Sequence, residues 1–234
     1  MTTVCGQPSK LVMRVRVPPH LSWSEPGPYV AVSACVTRRD QRWNHNIHYH
    51  RLILEAVPPG CQRVLDVGCG EGALARQLAR LVPQVVGIDT DAASLDLARR
   101  QDPGGEIGFI RGDFLTHPFA PASFGMITSV AALHHMEARI AFDHMSQLLA
   151  PGGTLAIVGL ARSQLPADLP WEAAAVIAHR GHRLTRTYWE QPSSTVWPPP
   201  YTYAEMRALA QHALPGVRHR RHLLWRYSLI WTKP

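Results

Sequence analysis

The chain has 234 residues, enough for one sizeable domain with additions and for a core that needs no disulfide or metal staple. Apolar residues make up 46% and charged residues 18%, which excludes wholesale disorder. The net charge of +7 is uneven: seven basic against three acidic residues over 1–60, seven against ten over 61–160, and ten against four over 161–234.

Residues 1–42 read as a poorly structured extension or accessory arm, because Pro8, Pro18, Pro19, Pro26 and Pro28 break any long element, although 30–36 has the composition of a short strand. A helix is expected over 46–57, with Ile47, Leu52, Ile53, Ala56 and Val57 on one face and Pro58-Pro59-Gly60 as its stop. A regular alternation follows: strand 63–67, helix 73–81, strand 84–88, helix 94–100, strand 107–111, strand 125–128, helix 137–149 and strand 154–159. Strands alternating with helices predict a parallel sheet covered on both faces. Residues 161–201 read as irregular and rich in Trp and Pro. Thr202 and Glu205 form a capping box for a helix running to about 214. The last stretch, 217–233, has no helical period and fits two strands joined near Leu224-Trp225.

No apolar run approaches the roughly 18 residues of a spanning helix, and the first residues contain no apolar secretory core, so a cytoplasmic protein with no membrane partner is expected. Cys5, Cys35, Cys61 and Cys69 form no CxxC pair and read as reduced thiols. His45, His48 and His50 have no accompanying carboxylate motif, so no metal site is expected.

The strongest chemical signal is Val64-Leu65-Asp66-Val67-Gly68-Cys69-Gly70-Glu71-Gly72-Ala73. An apolar strand runs into a glycine turn that opens a helix, so backbone can approach a ligand at the strand's carboxyl end. Asp89 follows 21 residues after Gly68, where a carboxylate can accept from two ribose hydroxyls. Spacing alone admits a nicotinamide dinucleotide or an adenosyl cofactor. Asp66 favours the second: a pyrophosphate at a helix N-terminus has little use for a nearby carboxylate, whereas a ligand with an amine and a sulfonium suits one. Gly112-Asp113-Phe114, at the end of the third strand, offers a carboxylate and an aromatic ring to adenine.

With these motifs the sequence resembles class I S-adenosylmethionine-dependent methyltransferases of the small-molecule type. VLDVGCGEGALARQLA, VVGIDTDAASLDLAR, IRGDF and LLAPGGTLAIV stand in the family's order within 61–160, with weaker support from 202–233. Gly125 and Ala150 depart from the usual pattern at positions that do not hold the cofactor. The resemblance implies a doubly wound, Rossmann-like α/β sheet of seven mostly parallel strands with a C-terminal antiparallel pair. It implies a methyltransferase domain over 43–234: a cofactor core at 61–160, a substrate cap at 161–201, and a closing helix and strands at 202–233. S-adenosyl-L-methionine is the implied cofactor and S-adenosyl-L-homocysteine the product. Gly68, Gly70 and Gly72 would face its methionine part, with Asp66 at the amino group. Asp89 and the following Thr90 would lie at the ribose, Asp113 and Phe114 at adenine, and Ser129 and Val130 beside the transferred methyl.

His134 and His135 follow the fourth strand where an acceptor would sit, and are the candidate general bases. Trp43, Tyr49 and His50 before the core, and Trp171, Tyr188, Trp189 and Trp197 after it, are candidate acceptor contacts, since aromatic walls hold flat or cationic ligands. Arg218, Arg220, Arg221 and Arg226 read as charges guarding an exposed edge strand. The amino-methylating motif of nucleic-acid enzymes is replaced by Ser129-Val130-Ala131-Ala132. That argues against amino methylation of bases, though not against all nucleic-acid substrates; by the aromatic cap and family analogy the expected partner is a small-molecule acceptor and not nucleic acid, bound by a monomer or homodimer. An RNA or protein methyltransferase using the basic flanks, and a non-catalytic cofactor-binding subunit, are the alternatives.

Overall fold

The computed structural model describes residues 42–189 and 197–234. All belong to the unit Arg38–Pro234; the extension expected over 1–42 lies outside the described residues except for Arg42. The elements are β1 (Arg42–Trp43), a 3-10 turn at Ile47–Tyr49, α1 (His50–Glu55), β2 (Arg63–Val67), α2 (Ala73–Leu78), β3 (Gln84–Asp89), α3 (Ala92–Arg100) and β4 (Ile107–Arg111). Then come β5 (Phe124–Val130), a 3-10 turn at Leu133–His135, α4 (Ala138–Leu148), β6 (Leu149–Gly159), α5 (Leu169–Thr185), β7 (Thr187–Tyr188), α6 (Tyr203–Ala213), β8 (Arg218–His222) and β9 (Arg226–Thr232).

The main sheet has seven strands in the order β4-β3-β2-β5-β6-β9-β8. The pairs from β4 through β6 are parallel, and β9 runs antiparallel to both β6 and β8. This is the expected doubly wound sheet with its antiparallel C-terminal pair. The central strands read as continuous apolar runs because both faces are covered. On one face Leu65, Val67, Ile127 and Ile157 pack under Phe142 and Met145 of α4 and Met206 and Ala210 of α6. On the other, Val64, Met126, Ala156 and Val158 meet Ile53 of α1 and Leu74, Ala75 and Leu78 of α2. Each buried Val, Leu, Ile, Met or Phe among them contributes roughly 1.5–3 kcal/mol. Gly159 leaves room for Tyr227 from β9, whose ring a β-carbon there would meet at 2.3 Å.

The capping box forms as read: the Thr202 hydroxyl accepts from Glu205 N at 3.2 Å, and Thr202 N donates to the Glu205 carboxylate at 2.7 Å. Leu224 and Trp225 take positive φ in the β8–β9 turn.

Three expectations are corrected. The irregular reading of 161–201 gives way to the 17-residue helix α5. Its only fully buried residue is Ala175, so no core-facing stripe marked it in the sequence, although Glu172-Ala173-Ala174-Ala175 has strong helix propensity. The fifth core strand begins before Pro151-Gly152-Gly153: the register jumps from Phe124↔Leu149 to Met126↔Thr154, and the intervening residues bulge out with Gly152 at φ 74°. Arg226 is not an edge charge: it lies on interior β9 and is buried, while Arg218 and Arg220 of edge strand β8 are exposed.

Candidate active site

The glycine motif folds into a turn at the carboxyl end of β2. Gly68, Gly70 and Gly72 have φ of 72°, 52° and 73°, in the region that side chains avoid. At Gly68 the lack of a side chain also serves packing: a β-carbon would meet that of Ala132 at 2.2 Å. The turn is laced to β3, because Gly68 N and Cys69 N both donate to Ile88 O, at 2.9 and 3.2 Å. Asp89 extends the lacing. One carboxylate oxygen accepts from Gly70 N at 2.8 Å and the other from Asp91 N at 2.9 Å.

Asp66 points from the last turn of β2 into a narrow cleft. The cleft is lined by Asp66, Gly68, Cys69, Leu74 and Val130 from the sheet side, and by Asn46, Ile47, His50 and Trp189 from above. Asp66 is 2% exposed and its Oδ2 has no hydrogen-bond partner. Burial, with Asp89 nearby, pushes its carboxyl up to about 7. A buried acceptor held this way awaits a donor, and an ammonium group supplies charge as well as protons. The site therefore fits the amino-acid end of S-adenosylmethionine.

The remaining cofactor candidates fall into two groups. Thr90 and Asp113 are exposed beside the ends of β3 and β4, and Asp113 accepts from Leu115 N at 3.0 Å. Phe114 is instead turned into the core, 4% exposed with its ring 4.9 Å from that of His144. Ser129 is buried with an unpartnered hydroxyl, and Val130 lines the cleft.

The histidine pair splits likewise. His134 is buried and His135 exposed, with ring centroids 4.0 Å apart. Burial, with His135 and Arg226 nearby, lowers His134 to about 4, so it is neutral at pH 7, and its Nδ1 has no partner. His50, which meets the Gln77 amide at 3.2 Å, is likewise lowered to about 4 by burial.

Above the cleft, three distant segments interlock. β1 pairs with β7. Trp43 is 1% exposed within a ring cluster of His45, His48, His179, His182 and Tyr188. His45 Nε2 and His179 Nδ1 lie 2.8 Å apart, so one must donate and the other accept. The Tyr49 hydroxyl donates to Leu223 O at 2.7 Å, and Trp225 Nε1 donates to the Glu172 carboxylate at 2.7 Å. Arg226, which no charge motif singled out as internal, binds the segments together. Its Nη2 and Nε donate to Asn46 Oδ1 at 2.7 and 3.3 Å, and its Nη1 donates to Leu224 O and Trp225 O. No carboxylate pairs with it among the described residues. Leu74, Asn46 and Ile47 line the cleft without being site candidates in the sequence; the last two sit inside the singled-out Trp43–His50 stretch, but nothing in the residue types ranks them above their aromatic neighbours. Trp171 lies apart, under the Arg221 guanidinium, and Trp197 is 67% exposed.

A nucleoside-binding α/β sheet with an acidic residue at each of its first three strand ends defines a methyltransferase-type site. The comparisons agree. The family profile described as a methyltransferase domain matches residues 65–157. An uncharacterized methyltransferase of Mycobacterium tuberculosis is 39% identical over 196 residues, covering 83% of this chain and 99% of that one. A 2-phytyl-1,4-naphtoquinone methyltransferase of Thermosynechococcus vestitus is 42% identical over 116 residues, covering 47% and 51%. A solved phosphoethanolamine N-methyltransferase of Haemonchus contortus, in complex with S-adenosylhomocysteine, superposes with a TM-score of 0.53 at 20% identity, covering 74% and 38%. The chain belongs to the class I S-adenosylmethionine-dependent methyltransferase family.

Proposed function

We propose that the protein methylates a small apolar acceptor carrying an acidic hydroxyl. The observation that carries the reading is the narrow cleft itself: an unpartnered buried carboxylate, three glycines of positive φ, and a roof that brings the His50 and Trp189 rings to it. S-adenosylmethionine, when bound, supplies an electrophilic methyl on a sulfonium. Asp66 and the Gly68–Gly72 turn hold its amino-acid end, Asp89 and Thr90 its ribose, and Asp113 its adenine amine. The chain's contribution is mainly to align acceptor, methyl and sulfur, which supplies proximity and orientation. As the new bond forms, the carbon–sulfur bond breaks and its electron pair stays on sulfur.

His134 is the base we favour, with the exposed His135 ring beside it, centroids 4.0 Å apart. A histidine held near 4 is a weak base, so it assists only an acceptor that is itself acidic, such as a phenol or enol. The roof brings Trp189 and His50 to the cleft, which suits a flat ring. The quinone acceptor named for the Thermosynechococcus relative supports the same class.

The test is purified protein with labelled S-adenosylmethionine and extract of the source cell, fractionated into small-molecule, RNA and protein pools. Label resistant to nuclease and protease in an organic-extractable product is expected. Label in RNA or protein would move the function to the basic flanks. Cofactor binding without transfer into any pool would favour a binding subunit.

A further inference from the structure

We infer that the outer face of α5 docks the protein onto an anionic lipid surface. The inference rests on this face alone and holds whichever acceptor is methylated.

Helix α5 packs on the domain through Ala175 and the half-buried Glu172, His179 and His182. Its opposite side exposes large apolar residues: Leu169 is 59% exposed, Val176 38%, Ile177 72% and Leu184 87%, with Leu165 just before the helix at 68%. Positions 169, 173, 176, 177 and 184 recur at helical spacing and form one stripe. Arg180 lies on the same side, Arg183 stands at its flank with its guanidinium 5.6 Å from the centre of the Tyr188 ring, and Arg186 follows the last turn; all three are exposed. Among the described residues of its own segment, the stripe meets no acidic side chain. The only acidic residues over 161–189 are turned inward: Asp168 accepts from Arg221 and Gln164 N, and Glu172 accepts from Ser163 and Trp225.

Charge decides between occupants. Residues 1–41 of this chain carry five basic and two acidic side chains, so they do not complement an arginine face. A second copy would bring the same arginines against these ones. An anionic lipid surface complements both features at once, because aliphatic side chains enter the headgroup boundary while arginines reach the phosphates. The lack of a spanning helix among the described residues is no obstacle, since docking of this kind spans nothing.

The experiment is flotation of the full chain with two vesicle types, phosphatidylcholine alone and phosphatidylcholine with about 30 mol% phosphatidylglycerol. At about 0.1 M salt the protein should partition onto the anionic vesicles at least tenfold more strongly. I177E/L184E should cut partitioning by about tenfold or more. R180Q/R183Q should cut it by about twentyfold on anionic vesicles and leave neutral vesicles unchanged. S-adenosylhomocysteine affinity, measured on each variant, should stay at the wild-type value, which separates this inference from the methyl-transfer reading and reports folding. The inference is overturned if the wild type floats with neither vesicle, or if the variants float as well as the wild type. It is equally overturned if I177E/L184E converts a dimer to a monomer, since the face would then be a protein interface.

Discussion

The cofactor half and the cap half are held together by different kinds of contact. In the cofactor half, the groups proposed to meet a ligand lie in short motifs at strand ends, and the backbone hydrogen bonds that set them are local to adjacent strands. Gly70 N reaches Asp89 across 19 residues, and Gly68 N reaches Ile88 O on the neighbouring strand. In the cap half, His45 meets His179 across 134 residues and Asn46 meets Arg226 across 180. The first half is a motif; the second is a tertiary knot. Substitutions in the first should change ligand affinity without moving the fold, and substitutions in the second should do both.

The largest expected effect is on the motif side. Asp89→Ala removes the charged acceptor proposed for two ribose hydroxyls, together with the ties to Gly70 N and Asp91 N. S-adenosylhomocysteine affinity should fall about a hundredfold by calorimetry, at roughly 1.5 kcal/mol or more per charged bond. A change of less than twofold would remove Asp89 from the ribose site.

Next comes the knot. Arg226→Met leaves Leu224 O, Trp225 O and Asn46 Oδ1 without their donor. Loss of about 2 kcal/mol of stability is expected, or about 4–8 °C in the melting temperature of a domain this size. Because Asn46 lines the cleft, cofactor affinity should weaken in the same variant. A stable variant with unaltered affinity would show that the two halves are independent.

Asp66→Asn sharpens the comparison by moving two readouts in opposite directions. A carboxyl raised from 3.8 to about 7 in the folded state favours folding below about pH 4, and that contribution is lost as pH rises through 7. The amide has no such charge to bury. Melting at pH 8 should therefore occur at higher temperature in the variant, while affinity for S-adenosylhomocysteine falls about tenfold. Lower melting temperature together with lower affinity would mean that Asp66 serves packing instead of ligand charge.

The contrast also explains what could be read in advance. The five core strands and the Thr202–Glu205 cap follow from local patterns, and the glycine turn with Asp66 and Asp89 follows from spacing. Helix α5 and the buried Arg226 do not. α5 hides almost nothing in the core, so hydrophobic period cannot reveal it. Arg226 sits among Arg218, Arg220 and Arg221, and only the antiparallel insertion of β9 between β6 and β8 turns it inward. Asn46 is fixed by that same arginine, so its place in the cleft was no more legible than Arg226 was.

The smallest expected effect is the pH response of the cap. Burial lowers His45 to about 4, with Arg226 and His179 adding to it; His222 is lowered to about 4 by burial and Arg220, and His48 is lowered chiefly by burial. Groups depressed in the folded state favour folding above the ordinary histidine pKa of 6.5, and this contribution is lost as pH falls toward 4. No carboxylate pairs with these rings among the described residues, and Arg226 already places one positive charge in the cluster. Asp66 opposes this trend over the same interval, so the decline in melting temperature between pH 7 and pH 5 should be read in the Asp66→Asn variant, where His45→Gln should flatten it. The cofactor half should respond differently over the same interval: Asp66 gains its proton there, so affinity falls as the ammonium loses its partner. A pH series that records melting temperature and S-adenosylhomocysteine affinity together separates the two. If His45→Gln leaves the stability slope unchanged, the cap histidines are not what acid disturbs, and the knot is held by Arg226 and the ring contacts alone.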